Sequence, residues 1–267
     1  MALIDILGYV GALIIGLVLG LTGGGGSILT VPVLVYVLGY NPVIATGYSL
    51  FIVGASSSFG ALRNIQKGLI NYKTSLIFAI PAVIAVFSTR RFLVPAIPEV
   101  VFSLGDFEVT KDILIMVFFA VLMLLASISM IKEQKDTVIA QNGERHIKYG
   151  SLIVLGAATG LITGTVGAGG GFIIVPILVL LAKLPMKEAV GTSLFIIAIN
   201  SLLGFLGDLS HIDVDWIFLL SFTFIAIIGI FIGIYLNKFI DGKKLKKSFG
   251  WFVLIMGIYI IYKEITQ

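Results

Sequence analysis

The sequence predicts an all-α polytopic membrane protein built from two inverted repeats of five helical segments each. Three observations support this prediction: an apolar composition, ten apolar segments along the chain, and a second half that repeats the first. Of the 267 residues, 58% are hydrophobic and 12% are charged, whereas a soluble domain of average composition carries about 25% charged residues. The chain therefore lacks the polar residues that a water-facing surface requires.

The apolar segments differ in length, and two of them are short. A helix needs about 20 residues to cross the hydrocarbon core, but the second and seventh segments are shorter and carry Pro32 and Pro176. Short segments interrupted by glycine or proline, at matching positions of two halves, are typical of transporter binding sites. Whether segments one, two, six and seven span or re-enter stays open, so eight to ten membrane segments are expected. The segments are approximately 3–22, 28–39, 43–62, 72–94, 112–131, 149–166, 172–184, 187–206, 215–237 and 248–262.

The two halves align without a gap when the chain is shifted by 144 residues. Residues 16–60 and 160–204 are then identical at 18 of 45 positions, and Pro32 falls on Pro176. This predicts an internal duplication, with repeats at 1–131 and 149–267 and a cytoplasmic linker at 132–148. Since each repeat holds an odd number of segments, the second starts on the opposite side of the membrane, which makes the repeats inverted.

The basic residues predict the orientation. Connections that follow odd-numbered segments hold 14 of the 18 Lys and Arg residues, whereas Arg90, Arg91, Lys111 and Lys263 are assigned to the other side. The positive-inside rule places the richer side in the cytoplasm and both termini on the non-cytoplasmic side. Because the basic residues are explained by topology, the net charge of +4 does not indicate a nucleic-acid partner.

The residues that catalysis or metal binding would need are missing from the spans. No Asp, Glu, Lys, Arg or His is expected in the middle of a span, and Asp208 lies at a span end. The chain has no cysteine and no HExxH motif, so neither a thiolate relay nor a zinc site of that type is available. We expect no catalytic residues, no metal, no cofactor and no enzymatic activity.

Two glycine-rich stretches, GLTGGGGS at 20–27 and GTVGAGGG at 164–171, predict an anion site. Glycine is a poor helix former, so the helix should break there and restart just after. The first turn of a helix has free N–H groups and a partial positive charge, and glycines let a ligand approach the backbone. In an inverted repeat, two such helix starts can face each other near mid-membrane.

Polar side chains near these turns complete the predicted substrate site. Their alternative role is a hydrogen bond back to their own helix, and some glycines could serve helix packing instead, as expected for Gly229 and Gly233. The predicted substrate-binding residues are Thr22, Gly23, Gly24, Gly25, Gly26, Ser27, Ser49, Ser57, Thr163, Thr165, Gly167, Gly169, Gly170, Gly171, Ser193, Asn200 and Ser201.

The motifs GLTGGGGSILTVPVL and GLITGTVGAGGGFIIVPIL, followed by GTSLFIIAINS and HIDVDW, resemble the duplicated signature of the TauE/SafE sulfite exporter family. The resemblance covers roughly 6–262. It implies a multi-pass inner-membrane transporter of small sulfur-containing anions such as sulfite, thiosulfate, sulfoacetate and related organosulfonates. The fourth segment lacks the GxxxG spacing expected there, which affects local packing.

The leading hypothesis is therefore a secondary transporter or exporter of such anions, with the lipid bilayer and a small anion as its partners. An anion channel, and a carrier of a carboxylate without sulfur, remain as alternatives. A homodimer is left open.

Overall fold

The computed structural model describes residues 3–104, 107–132, 149–236, 239 and 242–266. These residues form ten helices and one short hairpin, in agreement with the ten predicted segments. The helices are α1 (Leu3–Thr22), α2 (Gly26–Val37), α3 (Pro42–Gln66), α4 (Tyr72–Ala96), α5 (Lys111–Ile131), α6 (Tyr149–Val166), α7 (Gly171–Leu180), α8 (Met186–Asp208), α9 (Trp216–Leu236) and α10 (Gly242–Thr266).

The lengths of the helices confirm an all-α polytopic membrane protein. Seven of the described helices, α3 to α6 and α8 to α10, are long and apolar enough to cross a membrane. The helices at the two proline-bearing segments are shorter, and α7 has only 10 residues. The predicted linker at 132–148 lies outside the described residues except for Lys132, so the domain boundaries stay predictions.

Two of the helices are irregular. A 3-10 turn over Gly25–Leu29 opens α2, one α-helical turn follows over Thr30–Pro32, and a π turn ends it. A second π turn, Thr89–Leu93, interrupts α4 just before Pro95. Proline has no N–H and clashes with the carbonyl four residues back, and a wider turn relieves that clash. Such insertions are frequent at functional sites.

Helices α3 and α8 form the centre of the molecule. Their apolar windows are each 67% buried, whereas those of the other five long helices are 33–39% buried. They pack against each other along their lengths, and α4 also packs on α8 while α9 packs on α3. The remaining helices form the pairs α1–α9, α4–α6 and α5–α10 around this centre.

Glycines hold the outer pairs together. In the α1–α9 pair, a Cβ added at Gly16 would overlap the carbonyl of Ala226, and one added at Gly229 would overlap the carbonyl of Leu13. Gly20 and Gly233 meet in the same way one turn further along. The packing role predicted for Gly229 and Gly233 is confirmed, because small residues let the two backbones approach closely.

Helices α4 and α6 also pack closely, and in this pair the glycines at the contact lie on α6. The positions on α4 that correspond to Gly229 and Gly233 hold Ala85 and Thr89, which explains the missing GxxxG. On α6, Gly160 packs against Ala82 and Ala85, and Gly164 packs against Thr89.

One feature of the loop between α4 and α5 was not predicted. Strands β1 (Val100–Leu104) and β2 (Phe107–Thr110) pair as an antiparallel hairpin. Valine, phenylalanine and threonine in this stretch favour strands, but the sequence prediction considered only apolar helical segments.

Two glycines of α6, one packed against α4 and one with open space around it, allow a matched test of this packing. Because a Cβ at Gly160 would meet the backbone of α4, whereas nothing lies within 4 Å of one at Gly150, we expect Gly160→Leu to lower the unfolding midpoint. Overpacking of this kind costs about 1–3 kcal/mol or more. Thermal unfolding of both purified variants in detergent measures the difference, and Gly150→Leu should match the wild type. Equal midpoints would contradict the packing described.

Candidate functional site

Each glycine-rich stretch ends a helix and turns the chain in the same way. Gly23 and Gly167, at matching positions of the two halves, both have φ of 72°. Their N–H groups donate to the carbonyls of Leu19 and Thr163, each at 2.8 Å. A left-handed glycine that closes the last turn is a common helix ending, and it explains why glycine is needed at these two positions.

The two glycine-rich stretches touch each other through their backbones. A Cβ built on Gly24 would lie 2.7 Å from the Cα of Gly171, which is the first residue of α7. Neither position has room for a side chain. The broken helices of both halves therefore meet directly in the interior.

Packing accounts for more of these glycines than the sequence suggested. A Cβ at Gly23 would overlap the side chain of Val190, and one at Gly26 would overlap the backbone of α1 at Leu19. With Gly24, three of the four consecutive glycines thus lie in close contacts that a larger residue would disrupt. A role of these glycines in ligand binding stays a prediction.

The predicted polar side chains fall into two groups, and the first bonds back to the helices. Thr22 donates to Val18 O and Ser27 to Gly24 O, at 2.8 and 2.7 Å. Thr165 donates to Ile162 O at 2.8 Å. Thr163 donates to Gly160 O at 3.3 Å, and Ser193 donates to Gly23 O at 2.7 Å. These hydroxyls donate to backbone carbonyls. For all but Ser193, whose acceptor lies in the other half, the acceptor is a nearby residue of the same segment, which is the alternative role considered above.

The second group has no hydrogen-bond partner. The hydroxyls of Ser49, Ser57 and Ser201 and both polar atoms of Asn200 are buried without one. Ser56, the counterpart of Asn200 in the first half, shares this state although the predicted set omitted it. We call Ser49, Ser56, Ser57, Asn200 and Ser201 the central polar cluster.

The members of the central polar cluster belong to the two central helices, with three serines on α3 and with Asn200 and Ser201 on α8. Ser201 lies where these two helices cross. At this crossing a Cβ on Gly54 would be 2.9 Å from the backbone nitrogen of Leu202 and 3.1 Å from the Cβ of Ser201. The glycine-rich turn of the second half reaches the same place, since a Cβ on Gly169 would be 3.1 Å from the Ser201 hydroxyl. The structure thus brings together two members of the predicted set, Ser201 of α8 and Gly169 of the second turn.

Burial of these groups is costly. All five side chains of the cluster are at most 2% exposed, and a buried polar group without a partner costs about 1–3 kcal/mol. Native proteins contain few such groups, and each calls for an explanation. Five such side chains on α3 and α8 are therefore an unusual feature of the interior.

A buried ion pair lies near one end of the molecule, contrary to the expectation that Arg90 belongs to a surface connection. Arg90 is 0% exposed and sits inside α4, in the π turn before Pro95. Its Nη1 lies 3.3 Å from Oδ2 of Asp208, the last residue of α8. The ion pair could not be predicted from the sequence, because residues 90 and 208 are far apart in the chain. Each residue taken alone resembles a charged residue at the end of a helix.

This pair adjoins the second glycine-rich turn. Arg90 Nη1 also donates to Thr46 Oγ1 at 3.0 Å, and the backbone of Thr46 is what a Cβ on Gly167 would meet. A Cβ on Gly47 would lie 2.8 Å from Asp208 Oδ2, so the carboxylate rests against the backbone of α3. We call Thr46, Arg90 and Asp208 the charged cluster.

The other half holds a neutral copy of the charged cluster. The shift of 144 residues aligns Arg90 with Ile234, and aligns Asp208 and Thr46 with Asn64 and Val190. The surroundings match, because Gly23 packs against Val190 as Gly167 packs against Thr46. The two halves thus share the backbone arrangement but differ in all three side chains.

Within the described residues, no group of three or more His, Asp or Glu side chains could hold a metal ion.

The fold and its polar interior define a multi-pass α-helical membrane transporter. The chain belongs to the sulfite exporter TauE/SafE family, whose family model matches residues 9–260. It is 34% identical over 267 residues to a probable membrane transporter protein of Methanocaldococcus jannaschii, covering 93% of this chain and 94% of the relative. A protein of Xylella fastidiosa (strain 9a5c) with the same designation is 30% identical over 261 residues, covering 94% and 92%. No solved structure matches the chain.

The ion pair yields a stability prediction. Asp208→Asn should destabilise the protein by about 3–5 kcal/mol, because it leaves the Arg90 charge buried without a counter-charge. The double variant Arg90→Ile with Asp208→Asn should recover most of that loss, since it reproduces the neutral pair of the other half. Unfolding midpoints in detergent check both. A double variant no more stable than the single one would contradict the pairing.

Proposed function

We propose that this protein is a secondary transporter of small sulfur-containing anions, such as sulfite, thiosulfate, sulfoacetate and related organosulfonates. It moves them across the inner membrane without chemical change and is not an enzyme. The anion is held by the central polar cluster together with the backbone of the two glycine-rich turns. Four members of the cluster belong to the set predicted from the sequence, and Ser56 is added to it.

The observation that carries the proposal is the central polar cluster itself. Hydroxyls and a carboxamide can all donate hydrogen bonds to the oxygens of a sulfite or sulfonate group. The cluster carries no fixed charge, so it can release the anion again. The start of α7, two residues after Gly169, adds the partial positive charge of a helix N-terminus.

The pairing of helices supports an inverted-repeat mechanism. When each helix is replaced by the one five places away, the pair α1–α9 becomes α6–α4, and α3–α8 and α5–α10 return to themselves. This exchange is what two inverted repeats around a shared site would produce. Alternating access then follows from movement of one repeat against the other around the α3–α8 crossing.

The orientation proposed is the one that the basic residues favour. Both termini lie on the non-cytoplasmic side, which places the ends of α4 and α8, with the charged cluster, towards that side. The linker at 132–148 lies in the cytoplasm.

The sulfur class of substrate comes from the family name, since a hydroxyl cluster alone does not separate sulfonates from carboxylates. A carboxylate carrier and an anion channel are therefore outcomes of the test. Acceleration of uptake by substrate inside the vesicle indicates a carrier, whereas a current that rises linearly with voltage indicates a channel.

The proposal predicts which serines matter. In proteoliposomes, Ser57→Ala with Ser201→Ala should reduce sulfite or sulfoacetate uptake at least about tenfold, because each lost hydrogen bond to a charged group is worth about 1.5–3 kcal/mol. Ser58→Ala is the matched control, because this neighbouring hydroxyl donates to Gly54 O at 2.9 Å. Uptake is measured with labelled anions across an imposed gradient.

Wild-type protein that moves no anion would overturn the proposal. Equal losses in the double variant and in Ser58→Ala would show that the central polar cluster is not the binding site.

A further inference from the structure

We propose that Arg90 forms a second anion-binding subsite, at the end of the pathway where α4 and α8 end. The subsite takes one oxyanion group, a sulfonate, sulfite or carboxylate, through two parallel hydrogen bonds from Nε and Nη2. This inference deepens the proposed function and rests on it, because it places a charged docking point beside the uncharged central polar cluster.

The hydrogen bonds of Arg90 leave one edge of the guanidinium available. Nη1 contacts both Thr46 and Asp208, whereas Nε and Nη2 are buried and have no hydrogen-bond partner. These two nitrogens project their N–H groups from the same edge, which is the geometry that binds a planar pair of oxygens. The hydroxyl of the preceding residue, Thr89, is also buried without a partner.

Asp208 neutralises Arg90 only partly. The single contact of 3.3 Å is longer than the 2.7–2.9 Å typical of a charge-assisted hydrogen bond, and it engages one nitrogen of the guanidinium. A structural ion pair built for stability would use the bidentate edge instead. The arrangement keeps the charge inside the protein while leaving its best binding edge unoccupied by the carboxylate.

The comparison between the halves shows that the fold does not need this charge. Ile234, Asn64 and Val190 occupy the matching positions, and the backbone around them is packed in the same manner. A buried ion pair is seldom more stable than an apolar replacement. The charge is therefore better explained by a ligand at one end of the pathway than by a requirement of the fold.

A second, exposed positive charge lies next to Arg90 in the chain. Arg91 is exposed and contacts the hydroxyl of Ser210, which also pairs with His211 Nδ1 at 3.0 Å. Exposed positive charge of this kind raises the local concentration of anions. From Arg90, Thr46 connects directly to the turn at Gly167, and so to the central polar cluster.

The decisive variant replaces the charged cluster with the protein's own neutral version. Thr46→Val, Arg90→Ile and Asp208→Asn together remove the guanidinium without leaving an unpaired charge. We expect this triple variant to keep the wild-type unfolding midpoint within a few degrees. Its dissociation constants for sulfite, thiosulfate and sulfoacetate should rise about ten- to a hundredfold, the loss expected for hydrogen bonds to a charged group. Calorimetry on purified protein at constant ionic strength measures them.

A second variant guards against misfolding of the first. Arg90→Lys keeps the positive charge but loses the two-pronged edge, so it should weaken binding of the same three anions in the same direction. Wild-type affinity in either variant when folded would overturn the subsite.

The outcomes separate this inference from the proposed function. If the wild type binds and transports a sulfur anion and the triple variant does so equally well, the subsite is wrong and the proposed function stands. If the wild type binds only acetate and the triple variant loses it, the subsite stands and the sulfur substrate is wrong. Wild-type protein that binds none of the four anions overturns both.

Discussion

The direct backbone contact between Gly24 and Gly171 is the constraint on which the interior depends. It is possible only because neither residue has a side chain, and it brings the start of α7 against the turn that precedes α2. A Cβ at either position would force the two broken helices apart. The α3–α8 crossing would then lose the turn at Gly169 that adjoins Ser201, so the contact both closes the packing of the centre and shapes the polar site.

The interior combines two kinds of polar group with different energetic roles. The central polar cluster is neutral, and burial of its polar atoms without hydrogen-bond partners costs desolvation free energy. The charged cluster carries a guanidinium that is partly balanced by Asp208. This charge lies near the ends of α4 and α8 rather than at the α3–α8 crossing.

The two halves have similar backbones at the glycine-rich turns, but several of their aligned side chains differ. Gly23 and Gly167 have the same φ angle, and each donates a hydrogen bond to the carbonyl four residues earlier. By contrast, Arg90 and its aligned counterpart Ile234 differ in charge and polarity. Backbone geometry is conserved between the halves where packing demands it. The charged cluster and the aligned residues of the other half differ at three positions, so only one half carries an ion pair there.

The sequence by itself determined the membrane class, ten helical segments and the positions of both helix breaks, because apolar length, Pro32, Pro176 and consecutive glycines act through local physics. Only the tertiary structure decided which hydroxyls are spent on backbone carbonyls, as Thr22 and Ser27 are, and which are buried without partners. It also decided the burial of Arg90, because the counter-charge comes from residue 208 on another helix. Hydrogen-bond partners and burial depend on contacts between distant segments, and a pattern read along one segment does not contain them.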